Sequence, residues 1–124
     1  MLSTRVTQRK GDIVTAQAIA TFTRLGYDVS VPITESAKYD LIVDTPDELR
    51  RVQVKYSSGR KVDLRNIHSN ASGYVVKKCE PEAYDWLYIF YAGETGCEEY
   101  LMPECLAGRN SVSLAPRFRI LLEG

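Results

Sequence analysis

Two hydrophobic periods divide the chain. From Gln8 to Leu25, apolar or small residues at Ile13, Ala16, Ile19, Ala20 and Phe22 recur at the spacing of one helix face. Gly26 follows at once and predicts a C′ glycine closing that helix. Beyond it the period shortens to two. Tyr27–Val31 predicts a short strand stopped by Pro32, Ile33–Lys38 a loop, Tyr39–Asp44 a strand and Leu49–Tyr56 its return. Thr45-Pro46-Asp47-Glu48 lies between those strands, with Pro46 suited to the second position of a type I turn. Ser57-Ser58-Gly59 breaks the returning strand. Further strands are predicted at Lys61–Arg65, Tyr74–Val76, Trp86–Tyr91, Glu98–Met102 and Ser111–Leu114, with short helices at Glu80–Tyr84 and Pro103–Leu106. A helix first, then a run of strands with a short helix inserted, predicts an α/β (α+β) domain with helices packed on a twisted sheet.

The hairpin around Pro46 fixes its own register. With the turn at Thr45–Glu48, Asp44 faces Leu49, Ile42 faces Arg51 and Asp40 faces Gln53. Opposed residues share a face and neighbours alternate. One face then carries Tyr39, Leu41, Val43, Val52 and Val54; the other carries Asp40, Ile42, Arg51, Gln53 and Lys55. A slip by one residue would mix apolar and polar positions on both strands, so this register is favoured. It clusters a carboxylate, a carboxamide and an ammonium group. Asp40 offers charge and a hard oxygen, Gln53 its side-chain carbonyl and Val54 its main-chain carbonyl, a donor set that suits Mg²⁺. A divalent ion there would activate a water for attack on a phosphate, with Lys55 holding the water or stabilising the growing charge. The hairpin alone also fits an ordinary Asp–Lys cross-strand pair on a solvated sheet face.

Composition narrows the setting. The chain has 124 residues, enough for one domain spanning 1–124, with 44% hydrophobic and 26% charged residues, as expected of a soluble globular protein. No apolar run is long enough to span a bilayer, so no membrane partner is expected. The polar start at Met1–Lys10 lacks a signal-peptide pattern, and an intracellular (cytoplasmic) location is expected. Cys79, Cys97 and Cys105 match no zinc spacing and read as ordinary thiols of a reducing compartment.

Formal net charge is zero, but its distribution is uneven. Arg50, Arg51, Lys55, Arg60, Lys61 and Arg65 face one acid, Asp63, within that stretch, whereas Cys79–Cys105 holds seven acids and no basic residue. Arg50, Arg51, Arg60, Lys61 and Arg65 are candidate DNA phosphate contacts. Asn66, His68, Ser69 and Asn70 form a polar loop that could read base edges, or simply face solvent. The aromatic run Trp86–Tyr91 reads as core rather than as a base-stacking platform.

The order of these residues resembles the PD-(D/E)xK nuclease superfamily, in the branch with Gln at the second acidic position, as in small homing-endonuclease-like domains. The matching stretches are Lys10-Gly11-Asp12-Ile13, Leu25-Gly26-Tyr27-Asp28-Val29, Tyr39-Asp40-Leu41-Ile42-Val43 and Val52-Gln53-Val54-Lys55, with weaker matches at Tyr84-Asp85-Trp86-Leu87 and Ser111-Val112-Ser113-Leu114. The resemblance implies a restriction-endonuclease-like core, a central mixed β-sheet flanked by helices, and metal-dependent hydrolysis of DNA. Asp40 would be the motif aspartate, Gln53 the replacement for the second acid and Lys55 the motif lysine. Mg²⁺ is the implied cofactor, with Mn²⁺ a substitute. Relatives usually carry a glutamate on the first helix where this chain has Thr15. Asp12, one turn earlier on the same face, could replace it, or could simply favour a positive helix N-terminus.

The expected function is a homing- or restriction-like DNA endonuclease acting on double-stranded or branched DNA. A Holliday junction resolvase with the same site and a catalytically silent DNA-binding module are the alternatives. Because duplex DNA is pseudo-twofold, a homodimer or higher homo-oligomer is expected.

Overall fold

A computed structural model describes residues 2–34, 36–64, 83–106 and 109–121, with side chains from residue 9 onward. The fold is α+β. The elements are α1 (Leu2–Arg24), β1 (Asp28–Ser30), β2 (Leu41–Asp44), β3 (Leu49–Ser57), β4 (Lys61–Asp63), β5 (Trp86–Gly93), β6 (Gly96–Met102) and β7 (Ser111–Ser113), then a 3-10 turn at Pro116–Phe118.

Five strands form one mixed sheet in the order β1-β2-β3-β5-β6. Neighbours are antiparallel except β3 and β5, which run parallel, with Gln53 opposite Leu87 and Lys55 opposite Ile89. A parallel step needs a long crossover. The chain between β3 and β5 makes it, contributing β4 on the way, and β4 pairs with β7 in a separate two-stranded sheet.

Each face of the central sheet has its own core. On one face α1 lays Val14, Ala18 and Phe22 over Leu41, Val43, Val52, Val54 and Tyr88. Phe22 stacks on Trp86 at 6.0 Å and tilts against Tyr88 at 5.9 Å. Full burial of a side chain like Phe22 contributes about 2–3 kcal/mol. On the other face Leu87, Ile89, Tyr100 and Met102 pack against Val62, Val112, Leu64, Leu106 and Leu114. Thus the described residues hold one α-helix, covering one face, and a small β-sheet covers the other where flanking helices were expected. No helix is long and apolar enough to cross a membrane among the described residues.

The helix closes as its sequence predicts. Gly26 adopts φ +93°; its N–H donates to the Thr23 carbonyl at 3.0 Å and the Tyr27 N–H to the Phe22 carbonyl at 3.1 Å. This is a Schellman motif, which glycine enters without Cβ strain. The helix is longer than the sequence suggests, starting at Leu2, and its buried stripe is different. Val14, Ala18, Thr21 and Phe22 are buried, whereas Ile13, Ala16 and Ala20 are exposed. Two apolar stripes overlap along this helix, and the sheet selects the one that aligns with β3 and β5.

Several predicted elements shift. Pro103–Leu106 is not helical. The strand at Tyr74–Val76, with Arg65, Asn66, His68, Ser69, Asn70 and Cys79, lies outside the described residues. Of the helix at Glu80–Tyr84 only 83 and 84 are described, and neither is helical.

Candidate active site

The hairpin register is the one its alternation dictates: Leu41 faces Val52, Ile42 faces Arg51 and Asp44 faces Leu49. Thr45 ties the turn, its Oγ1 donating to the Glu48 carbonyl at 2.6 Å and accepting the Glu48 N–H at 3.2 Å. Before Leu41 the ladder stops. Asp40 donates its N–H to the Val52 carbonyl at 2.8 Å, and its carboxylate Oδ2 accepts the Val54 N–H at 2.9 Å. Asp40 therefore meets β3 through its own N–H and its carboxylate rather than as a ladder partner of Gln53. The same break turns Tyr39 away from Leu41 and Val43, and it packs in the opposite core beside the β4–β7 layer.

The bond to Val54 uses one carboxylate oxygen, and the other has no hydrogen-bond partner among the described residues. Burial raises the pKa of Asp40 above the usual carboxylate range, and the Val54 N–H partly offsets this. In a strand, the N–H and C=O of one residue point the same way. The Val54 carbonyl oxygen consequently opens on the side from which Asp40 approaches.

These residues line an open cleft of about 600 Å³ between the middle of α1 and the C-terminal half of β3. Asp40, Gln53, Val54 and Lys55 form its sheet side; Lys10, Gly11, Asp12, Val14 and Thr15 form its helix side; Tyr56 and Ser58 complete it. Asp12 lies well inside α1 rather than at its first turn, so a helix-dipole role does not account for it. Thr15 stands in the cleft wall, where it offers a hydroxyl and no charge. The oxygen donors gathered here suit a hard divalent cation. No group of three or more His, Cys, Asp or Glu residues is placed to hold a metal among the described residues. Such an ion would therefore rely on Asp40, the Gln53 and Val54 carbonyls, Asp12 and water.

Lys10, Gly11, Tyr56 and Ser58 were not singled out as site residues in the sequence. The signal for two of them was there: Lys10 and Gly11 lie four residues before Val14 and Thr15, on the same helix face.

The arginines proposed as phosphate contacts are mostly engaged within the fold. Arg51 donates from Nε and Nη2 to Asp85 at 3.2 Å each, and its N–H donates to Asp85 Oδ2 at 2.8 Å. This clamp holds Asp85 below the usual carboxylate range. Arg50 pairs with Glu48 at 2.7 Å and lies over the Trp86 ring. Arg60 donates to Glu98 at 2.7 Å and to Tyr100 Oη at 2.8 Å, stacked on Tyr91. Arg51 and Arg60 are held by carboxylates that the fold brings up from later in the chain, whereas Arg50 pairs with its near neighbour Glu48. Lys61 lies in a separate small groove with Asp63, Asn110 and Ser111.

The family model described as PD-(D/E)XK endonuclease matches residues 5–117. Among solved structures, a bacterial homing endonuclease is similar, with a TM-score of 0.69 and 26% identity over 88% of this chain and 78% of that one. No curated protein sequence matches.

Proposed function

Because the chain belongs to the PD-(D/E)XK endonuclease family, we propose that it hydrolyses DNA phosphodiester bonds in the α1–β3 cleft with the help of Mg²⁺ or Mn²⁺. The observation that supports this most is the carboxylate of Asp40 anchored on the Val54 N–H, in one cleft with Gln53, Lys55 and Asp12. The likeness to a homing endonuclease supports a homing- or restriction-like role on duplex DNA.

Asp40, the Gln53 side-chain carbonyl, the Val54 main-chain carbonyl and Asp12 would hold the ion. Bound there, it supplies Lewis-acid polarisation of the phosphate and a more acidic water. The Val54 N–H fixes the orientation of the Asp40 carboxylate, so little reorganisation is needed when the ion arrives. Lys55 presents an ammonium group to the phosphate and counters the negative charge that grows on it as the water oxygen bonds to phosphorus and a P–O bond breaks. Cutting both strands of a duplex calls for two such sites, hence a homodimer or larger assembly.

Thr15 favours a second reading. With Thr15 and Gln53 both neutral, the cleft has less negative charge to retain a cation, and the chain would bind DNA without cutting. The two readings separate when purified protein is incubated with linear duplex and with four-way-junction DNA in Mg²⁺, Mn²⁺ or EDTA. The endonuclease reading expects metal-dependent nicking of linear duplex that falls at least about 100-fold in Lys55→Ala. Preference for the junction would make the protein a resolvase. Binding without nicking, with Thr15→Glu creating nicking, would establish the silent module. Cutting undiminished in Lys55→Ala would refute the assignment of Lys55.

A further inference from the structure

Two lysines line the cleft, Lys10 on α1 and Lys55 on β3. Their surroundings differ from those of the arginines. Arg50, Arg51, Arg60 and Arg119 each lie within ion-pair distance of a carboxylate of the fold. No carboxylate among the described residues pairs with either lysine.

Lys10 is nonetheless held in place. Its Nζ lies 5.4 Å from the centroid of the Tyr56 ring. That ring is in turn packed on Phe90 at 5.8 Å and rides on β3, one residue from Lys55. An aromatic face attracts an ammonium group without neutralising it. All three N–H donors keep their charge for another acceptor. Beside it, Gly11 leaves the helix surface bare: a Cβ built there meets nothing within 4 Å. A bulky strand can therefore lie close to the helix at this point.

We infer that Lys10, poised on Tyr56, is a second phosphate-binding residue that grips a DNA backbone phosphate next to the one addressed by Lys55. This deepens the endonuclease reading and rests on it. Gripping two phosphates from two elements would set the direction of the strand across the cleft, not merely its attraction.

The salt dependence of DNA binding tests this, because each phosphate contact releases counterions. The full chain is titrated onto a fluorescently labelled random-sequence duplex over a range of salt, in EDTA and again with Ca²⁺. Lys10→Ala should weaken binding several-fold and reduce the magnitude of the slope of log K against log salt by about 0.9. Lys10→Arg should retain the slope. Tyr56→Leu should retain the slope but weaken binding, since the charge stays but is no longer held. Lys10 is exposed, so melting temperatures of its variants should match the parent and exclude a folding cause.

The inference is overturned if the parent chain binds DNA while Lys10→Ala has the same slope and affinity. If the parent chain neither binds DNA nor cuts it with Mg²⁺ or Mn²⁺, the endonuclease reading itself falls and Lys10 loses its role with it.

Discussion

Replacing Asp40 by asparagine should make the protein more stable and less active at once. The half-buried carboxylate is harder to ionise here than in the unfolded chain, because burial outweighs the Val54 N–H that favours its charge. A carboxyl with a raised folded pKa binds more protons folded than unfolded between its two pKa values. Folding stability therefore falls as pH rises through that window. The asparagine variant carries no charge at this position. Its advantage over the parent should be smallest in acid and largest at neutral pH, at about 1.4 kcal/mol per pKa unit of displacement. The asparagine carbonyl can still accept the Val54 N–H, but alanine cannot. Asp40→Ala should thus lie about 1–3 kcal/mol below Asp40→Asn, the cost of an orphaned buried donor. For a chain of this length the unfolding entropy is about 0.26 kcal/mol/K, which converts the gap to roughly 4–12 °C in Tm. Thermal melts of the three proteins from acid to neutral pH, in EDTA and then in Mg²⁺, read this directly. Mg²⁺ should raise the Tm of the parent alone. If Asp40→Asn melts below the parent at neutral pH, the carboxylate is a structural anchor and not a poised ligand; if it melts with Asp40→Ala, the Val54 N–H gains nothing from an oxygen at this position.

Gly26→Ala should destabilise by about 1 kcal/mol, seen as a lower midpoint in urea. A Cβ there meets no atom within 4 Å, so the loss comes from φ +93° alone. Asp85→Asn should cost at most about 1 kcal/mol, since both members of the Arg51–Asp85 pair are about a third exposed. The depressed pKa of Asp85 makes its contribution present at neutral pH and lost as pH falls below the ordinary value of 3.8. Urea melts of this variant and the parent should therefore converge in acid.

The legible parts of the fold are those set by short-range rules. The hairpin could be registered because a strand's period of two and a four-residue turn leave one arrangement that sorts Leu41, Val43, Val52 and Val54 together. Gly26 could be placed because a helix end demands a particular backbone angle. What failed depended on distant partners. Tyr39 departs from its expected face because the Asp40 carboxylate takes a main-chain bond and ends the ladder. Ile13, Ala16 and Ala20 read as the buried stripe, yet the sheet prefers Val14 and Ala18, a choice that no local spacing encodes. Arg51 and Arg60 looked available to phosphate because Asp85 and Glu98, far along the chain, become their neighbours only in three dimensions. The helical spacing to Val14 places Lys10 on the cleft side of α1, but only the fold brings Tyr56 beneath it.

All residues of the cleft lie between Lys10 and Ser58, yet β3, which carries several of them, is flanked by β5 from much later in the chain. During synthesis the chemical groups leave the ribosome well before the strand that must lie alongside them. Until Trp86–Gly93 arrives, β3 is an open edge, which gives a poor frame for fixing side chains. An unfinished polypeptide that ends before Trp86 would thus carry every residue of the cleft without the strand that frames them.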